Sequence, residues 1–520
     1  MRLFNNIIQI TLIILLVGLS FQSCTDLQED VLDETSGEDI LKDPANIPSI
    51  VGPVYAALRD LWWRQSFWGL QETTSDECMF PTRGTDWWDT GVWVQAHLHT
   101  WTPTHRDISD TWNRISKGLG RANYALLLLD DFPETEEIRL YKAELKFFRA
   151  FYSYCYMDLW GKVPYREYTE TEFTKNPQIL DRPEAFEYIV EEVEAVMPEL
   201  GDKYEVPYGR INKDVARMLL AKLYINKEVY TGTPGWTECV QYCNELINSG
   251  RYGLADDYFD IFSVENDQFF TDNDEAIFVS IMDDNQEIGV DDNVQWVNPT
   301  LHYFQTLGGN YSPWNGCVAP ESFFNKIDTA NDLRYQDDRI KATTGADLGF
   351  LIGQQYDENG DSLFTRQNEP LVYTPECPLS GANEAQGVRV LKYEPKVPPI
   401  HNARTDNDFV IWRIADTYLM RAEAQFRING GGLDDLNAVR VQRGLDPLGS
   451  ITEQAIIDER GFELYWEGHR RQDLIRFGMF TDAWTEKPVT EETKELFPIP
   501  QKALDAYNDE SLISQNPGYN

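Results

Sequence analysis

The stretch Asn212-Lys213-Asp214-Val215-Ala216-Arg217-Met218-Leu219-Leu220-Ala221-Lys222-Leu223-Tyr224 decides how this chain folds. Val215, Ala216, Leu219, Leu220, Leu223 and Tyr224 recur at helical spacing, and Asn212 is a good N-cap, so the pattern predicts a helix over 213–229. Gly232, Pro234 and Gly235 then make a turn, and a second helix over 236–248 returns and stops at Gly250. Two helices joined by a short turn within about 35 residues have the dimensions of a tetratricopeptide unit. The arrangement recurs near the C-terminus, where a helix over 411–428 is followed by Gly430-Gly431-Gly432 and a helix over 434–443. Such pairs bury their apolar faces only against neighbouring pairs, so the expected fold is mostly α, a scaffold of tetratricopeptide-like pairs.

Working outward, further helices are expected over 47–63, 110–130, 136–160 and 182–196, the third ended by Gly161 and the last opened by Pro183. From Tyr252 to about Asn407 the sequence changes to a part rich in Asp, Asn, Gly and Pro. Short alternating pieces at 276–281 and 388–393 read there as strands, and loop-rich parts of this kind commonly carry binding function.

The stretch from Thr73 to Trp112 is the strongest functional signal. It contains Asp76, Arg83, Asp86, Trp87, Trp88, Asp89, Trp93, His97, His99, Trp101 and Trp112. Pro81 and Gly84 break any helix, so Trp87 and Trp88 have no evident core face to turn to. An indole offers a rigid apolar plane, and interleaved Asp and Arg offer polar edges beside it. A sugar ring has both an apolar face and a polar rim. The candidate ligand-binding residues are therefore Trp87 and Trp88 as stacking planes, with Asp76, Arg83, Asp86 and Arg389 bonding hydroxyls. Trp296 and Trp314, with Tyr303 and Tyr311 nearby, are candidates to extend the platform. Trp101 and Trp112 lie in more helical surroundings and are expected in the core.

The formal net charge of -41 argues against nucleic acid, whose phosphates an acidic surface repels. At the N-terminus, Arg2, the apolar run from Ile7 to Leu19 and the small residue before Cys24 resemble a lipoprotein signal, with Cys24 as the lipidated residue. The expected layout is a signal peptide over 1–23, an acidic tether over 24–45 and one domain over 46–520. Within the domain, helical parts over 46–250 and 408–520 flank the loop-rich part over 251–407. The six remaining cysteines have scattered spacings, which implies no small disulfide framework; Cys239 and Cys243 sit one helical turn apart and are expected to pack.

Glu459, Glu463 and Glu467 are spaced to share one helical face with Arg460, Arg470, Arg471 and Arg476 nearby. Their expected role is structural salt bridging, with Glu467 and Arg471 as an i,i+4 pair. His97, His99 and His105 have no partner at a zinc spacing, so no metal is expected there. The acidic clusters Asp283-Asp284-Asn285 and Asp291-Asp292-Asn293 are the places where calcium would bind, although the twelve-residue calcium loop is absent. No other cofactor is suggested.

These residues together resemble the SusD/RagB family of outer-membrane lipoproteins. The resemblance rests on Arg83-Gly84-Thr85-Asp86-Trp87, on Phe148-Arg149-Ala150 through Pro164, and on Val215 to Tyr224. It continues in Tyr418-Leu419-Met420-Arg421-Ala422-Glu423-Ala424 and Asn437-Ala438-Val439-Arg440. The end of the chain adds Glu459 to Leu464, Glu467-Gly468-His469-Arg470-Arg471, Phe497-Pro498-Ile499-Pro500 and Gln515-Asn516-Pro517-Gly518-Tyr519. It implies four tetratricopeptide-like pairs, a looped ligand-binding part and no catalysis. It also implies capture of oligosaccharides at the outer, extracellular face of the outer membrane and hand-over to a SusC-like TonB-dependent transporter. Two rivals stand beside it: a peptide-capturing member of the same fold, and a surface glycoside hydrolase using Asp86 and Asp89, which would require a carboxylate pair flanking a sugar.

Overall fold

The computed structural model describes residues 43–172, 175–268, 275–282, 299–308, 311–397, 406–507 and 512–519. The chain divides into two units, 1–46 and 47–520. In the first, the described residues form a short 3-10 turn, Pro44–Asn46. The signal, Cys24, most of the tether, Trp296 and both acidic clusters considered for calcium lie outside the described residues.

In the second unit, α1 (Ile47–Arg59) packs on α2 (Arg106–Leu129), α2 on α3 (Glu136–Trp160) and α3 on α4 (Arg182–Val196). Next, α5 (Lys213–Ile225) packs on α6 (Trp236–Ile247), and α6 on α7 (Ile414–Asn429). In turn α7 receives α8 (Leu433–Gln442) and α9 (Glu453–Leu464), and a separate short helix, α10 (Arg470–Arg476), follows. The ends are set by the chemistry of the sequence. Asn212 Oδ1 accepts the Asp214 and Val215 N–H groups at the start of α5, Asp181 and Glu184 close a capping box on α4, and Gly161 ends α3 at φ 64°. The helix expected over 213–229 breaks at Asn226, and Lys227–Thr231 forms a separate turn.

Every residue of α3 from Phe147 to Trp160 is buried, not only the apolar stripe, so this helix is central. Phe151 packs edge-on against Phe278 and Trp412, at 5.8 and 5.6 Å between ring centroids. Those two rings come from a small sheet. The sheets are β1 (Lys162–Tyr165) with β2 (Gln178–Asp181), β3 (Ala276–Ser280) with β9 (Phe409–Arg413), β4 (Gln336–Asp337) with β5 (Leu348–Leu351) and β8 (Arg389–Leu391), and β6 (Gly353–Gln354) with β7 (Val372–Tyr373); all pairs are antiparallel. The helix expected from Ile411 thus begins only at Ile414. Phe409 to Trp412 are aromatic and β-branched, and pairing with β3 buries all five residues of β9.

The acidic row of α9 is structural, but its partners come from elsewhere. Glu463 receives Arg413, Arg334 and Arg443 at 2.5, 2.8 and 2.8 Å. Glu459 receives Arg334 and Arg440, both at 2.7 Å. Glu467 pairs with Lys392 at 2.6 Å and Arg413 at 2.8 Å, not with Arg471. The expected i,i+4 pair fails because α9 stops at Leu464. Trp466 and Gly468 then take φ of 60° and 85°, so Glu467 and Arg471 never share a helix. Arg471 instead faces Asp158 at 3.4 Å.

Removing one member of a buried ion network leaves its partners charged and unpaired, so Arg413→Met is expected to cost about 3–5 kcal/mol of unfolding free energy in urea. The network also sets an acid limit. Burial alone would raise Asp473, but Arg460 and Arg476 overcome it and hold the carboxyl at about 2; Glu463 is likewise held well below its ordinary range. A carboxyl depressed by folding contributes stability above its unfolded pKa and loses it as pH falls toward its folded pKa. Urea midpoints measured from pH 5 to pH 2 should therefore fall, and the fall should be smaller in Asp473→Asn.

Candidate functional site

The loop that bears the tryptophans is tied down from below. Trp68 Nε1 donates to the Trp466 carbonyl at 2.9 Å, and Trp466 Nε1 donates to the Glu77 carbonyl at 3.0 Å. Asp76, expected at the ligand, lies here instead. It is buried, and its carboxylate takes the Arg470 Nε and Nη2 hydrogens at 2.7 and 3.0 Å. That ion pair occupies the carboxylate and fixes the start of the loop.

Beyond it the backbone turns into the left-handed region at Gly84, Trp87, Asp89, Thr90 and Gly91. Non-glycine residues adopt this conformation at some strain, and across this turn Trp87 packs inward while Trp88 is left exposed. Trp87 is half-buried. Phe80 and Trp93 back it at 4.9 and 5.9 Å between centroids, and its Nε1 donates to the Trp314 carbonyl at 2.8 Å. Its six-membered ring lies on Gly316, where a Cβ would stand 2.4 Å from Cζ2. Trp88 is 55% exposed and lies against Gly91, with Cη2 3.3 Å from where a Cβ would be. Trp314, half-buried, presents its ring 6.4 Å from that of Trp87 and tilted by 43°. The Arg64 guanidinium also lies over the Trp314 ring, at 4.8 Å.

Arg83 and Arg389 were expected to meet ligand hydroxyls, but both are buried and hold the Trp314 loop from within. Arg83 Nε donates to the Asn315 carbonyl at 2.9 Å and Nη2 to the Gln386 carbonyl at 2.8 Å. Arg389 Nη2 reaches Asn315 Oδ1 and Nη1 the Gly387 carbonyl, both at 2.7 Å. Two guanidiniums thus grip the residue next to Trp314, itself at φ 51°. They position the platform and leave no free face toward solvent.

Asp86 is partly exposed at the platform's rim. Its Oδ2 accepts the Tyr303 hydroxyl at 2.5 Å and Arg366 Nη2 at 3.1 Å. Arg366 lies over the Tyr303 ring at 4.2 Å and donates through Nε to Glu384 at 2.5 Å. Glu384 also takes the His302 Nε2 hydrogen at 3.0 Å, because the Phe304 N–H donates to Nδ1 and so fixes the tautomer. Burial outweighs Glu384 and lowers His302 to about 4, so it is neutral at pH 7, while Glu384 itself is held at about 2 despite burial by the Arg366 N–H, His302 and the Arg366 guanidinium.

Of the sequence candidates, the structure brings together Asp86, Trp87, Trp88, Tyr303 and Trp314. Trp101 and Trp112 are buried in the core, as is Tyr311. Sequence reasoning missed Arg366, Glu384 and His302. They lie in ordinary loop sequence about 200 to 300 residues from Asp86, and no spacing rule connects them. His97, His99 and His105 each spend Nε2 on a backbone carbonyl, those of Thr485, Thr74 and Val92. The six described cysteines are buried and unbridged, with the Cys239 and Cys243 sulfurs 3.9 Å apart.

Stacked helix pairs bearing a loop-built cluster of tryptophans define a class: a helical scaffold with an aromatic patch carried on its loops. A sequence profile described as the SusD family matches residues 274–519, and one described as starch-binding, associating with outer membrane, matches residues 30–225. The chain belongs to the SusD family. It is 26% identical over 489 residues to the starch-binding protein SusD of Bacteroides thetaiotaomicron, covering 88% of this chain and 86% of that one. The same fold is seen in a laminarin-binding SusD-like protein, with a TM-score of 0.69, 23% identity and coverage of 92% of this chain and all (100%) of that one. It is seen again in surface glycan-binding protein A of Bacteroides thetaiotaomicron in complex with laminarihexaose, with a TM-score of 0.66, 21% identity and coverage of 91% and 99%.

The placements separate surface from core indoles. Trp88→Ala should leave stability within about 0.5 kcal/mol, whereas Trp93→Ala, which empties a buried site behind Trp87, should cost about 3–5 kcal/mol in chemical denaturation. Gly316→Ala should displace the Trp87 ring and alter near-ultraviolet circular dichroism without unfolding the chain.

Proposed function

We propose that this protein is a non-catalytic glycan-binding lipoprotein of the outer membrane. It captures an oligosaccharide or polysaccharide at the extracellular face and passes it to a SusC-like TonB-dependent transporter. The observation that carries the reading is the aromatic cluster itself: Trp88 exposed next to half-exposed Trp87, Trp314 with its ring 6.4 Å from that of Trp87, and Asp86, Tyr303 and Arg366 bonded to one another alongside. An apolar plane with a polar rim matches the two sides of a sugar ring, and neither a cofactor nor a metal is needed to bind it. The names of the relatives, which bind starch, laminarin and laminarihexaose, support the same ligand class.

Capture without hydrolysis fits how the local carboxylates are used. Asp86 is engaged by Tyr303 and Arg366, and Asp89 accepts the Trp93 indole N–H at 2.7 Å. Neither stands free as an acid or nucleophile facing a second carboxylate across a cleft. Cys24 as the lipidated residue would hold the protein at the membrane, the 24–45 segment would serve as its tether, and the transporter would receive the ligand.

Affinity electrophoresis and calorimetry on a soluble form starting after Cys24, against a panel of glycans and peptides, test this reading. The expected result is micromolar glycan binding, about -8 kcal/mol, that falls at least about tenfold in Trp88→Ala and is lost in the Trp87→Ala, Trp88→Ala double variant while both remain folded. Binding of peptides and of no glycan would replace the reading with peptide capture. Sugar release from a bound glycan would overturn the non-catalytic part.

A further inference from the structure

Arg366 has an unusual division between charge and hydrogen-bonding capacity. Its charge is matched twice, by Asp86 at 3.1 Å and by Glu384 at 2.5 Å. Its donors are not used up. A guanidinium carries five N–H bonds, and Nη1 has no hydrogen-bond partner among the described residues. The side chain is 46% exposed, lies over the Tyr303 ring at 4.2 Å and is held by Asp86 and Glu384, so its remaining hydrogens are presented from a restrained guanidinium.

The other cations around the platform are likewise committed. Arg83 and Arg389 point inward to carbonyls and Asn315, and Arg64 lies between the Trp63 and Trp314 rings at 4.5 and 4.8 Å, with Asp107 and Asp89 near enough to act on its charge. Among the described residues the rim therefore offers directed N–H donors whose positive charge is compensated. Hydroxyl oxygens suit such donors. A carboxylate or sulfate would have to displace Asp86 or Glu384, and would meet their like charge on the way.

We infer that Arg366 is the specificity-determining residue of the platform: it donates to hydroxyls of an uncharged glycan stacked on the indoles, while its clamp by Asp86 and Glu384 turns anionic glycans away. The inference rests on the glycan-binding reading above and narrows its ligand class.

The test measures affinity for neutral glucans, amylopectin and laminarin, beside alginate, polygalacturonate and a sulfated galactan, in the parent, Arg366→Ala, Arg366→Lys and Asp86→Asn. The parent should bind at least one neutral glucan and none of the polyanions. Arg366→Ala should weaken that binding at least about tenfold, with Arg366→Lys intermediate because the ammonium lacks the planar fork. Asp86→Asn should gain affinity for a polyanion that falls as salt is raised. Thermal melts establish that each variant is folded, and the lysine variant serves if the alanine variant is not. A parent that binds polyanions as well as neutral glucans, or an Arg366→Ala and Arg366→Lys pair that both keep parental affinity while Trp88→Ala loses it, overturns this inference and leaves glycan capture standing. A parent that binds no glycan overturns both.

Discussion

The structure depends on charge buried where α9 meets the loop-rich part. Glu463 collects three arginines from three distant segments: Arg334 from the loop-rich part, Arg413 from the end of β9, and Arg443 from the end of α8. Each carboxylate and guanidinium in that cluster is excluded from water, so each is stable only with its partners in place. The same carboxylate row takes Lys392 through Glu467 and Arg440 through Glu459. The network ties the loop-rich part to α9 at defined points, since separating them would leave buried charges unpaired. A second cluster, Asp416 with Lys222 and Arg460, fixes α5, α7 and α9 to one another.

From that frame a line of contacts leads to the platform. The turn after α9 puts Trp466 against Trp68 and Glu77, and α10 puts Arg470 on Asp76, so the Trp-bearing loop leaves the core at a defined place. Met79 pairs with Val318 across the loop-rich part, bringing the 314–316 turn under Trp87. Glycine at 316 is required there because the indole occupies the space of a side chain. Trp87 and Trp314 are held half-buried: Trp87 packs on Phe80 and Trp93 and donates to the Trp314 carbonyl, and two arginines grip Asn315 beside Trp314.

Several features were legible because they are local. Asn212 caps α5 and Gly161 stops α3, both through interactions within a few residues. Trp88 was legible as a surface residue because the Pro81 and Gly84 neighbourhood denies it a helical face, whereas Trp87 turns out half-buried on Phe80 and Trp93. Asp76, Arg83 and Arg389 were misread for one reason. Their side chains look alike whether they point at water or at a buried partner, and the partners that decide it come from other segments: Arg470 lies 394 residues from Asp76, and Asn315 lies 232 residues from Arg83 and 74 from Arg389. The same holds for Arg366, whose role is set entirely by where Asp86, Tyr303 and Glu384 arrive.

By itself the sequence determined the helical scaffold, the change to a loop-rich part after residue 251, the acidic composition and the aromatic character of the candidate site. Apolar periodicity, capping residues and composition act over one or two turns of chain and need no tertiary information. Only the tertiary structure decided which charged residues are internal, where α9 ends and how Trp314 comes to stand beside Trp87. Those outcomes depend on pairings between segments far apart in the chain, and a buried charge or a half-buried indole takes its meaning from the partner that reaches it.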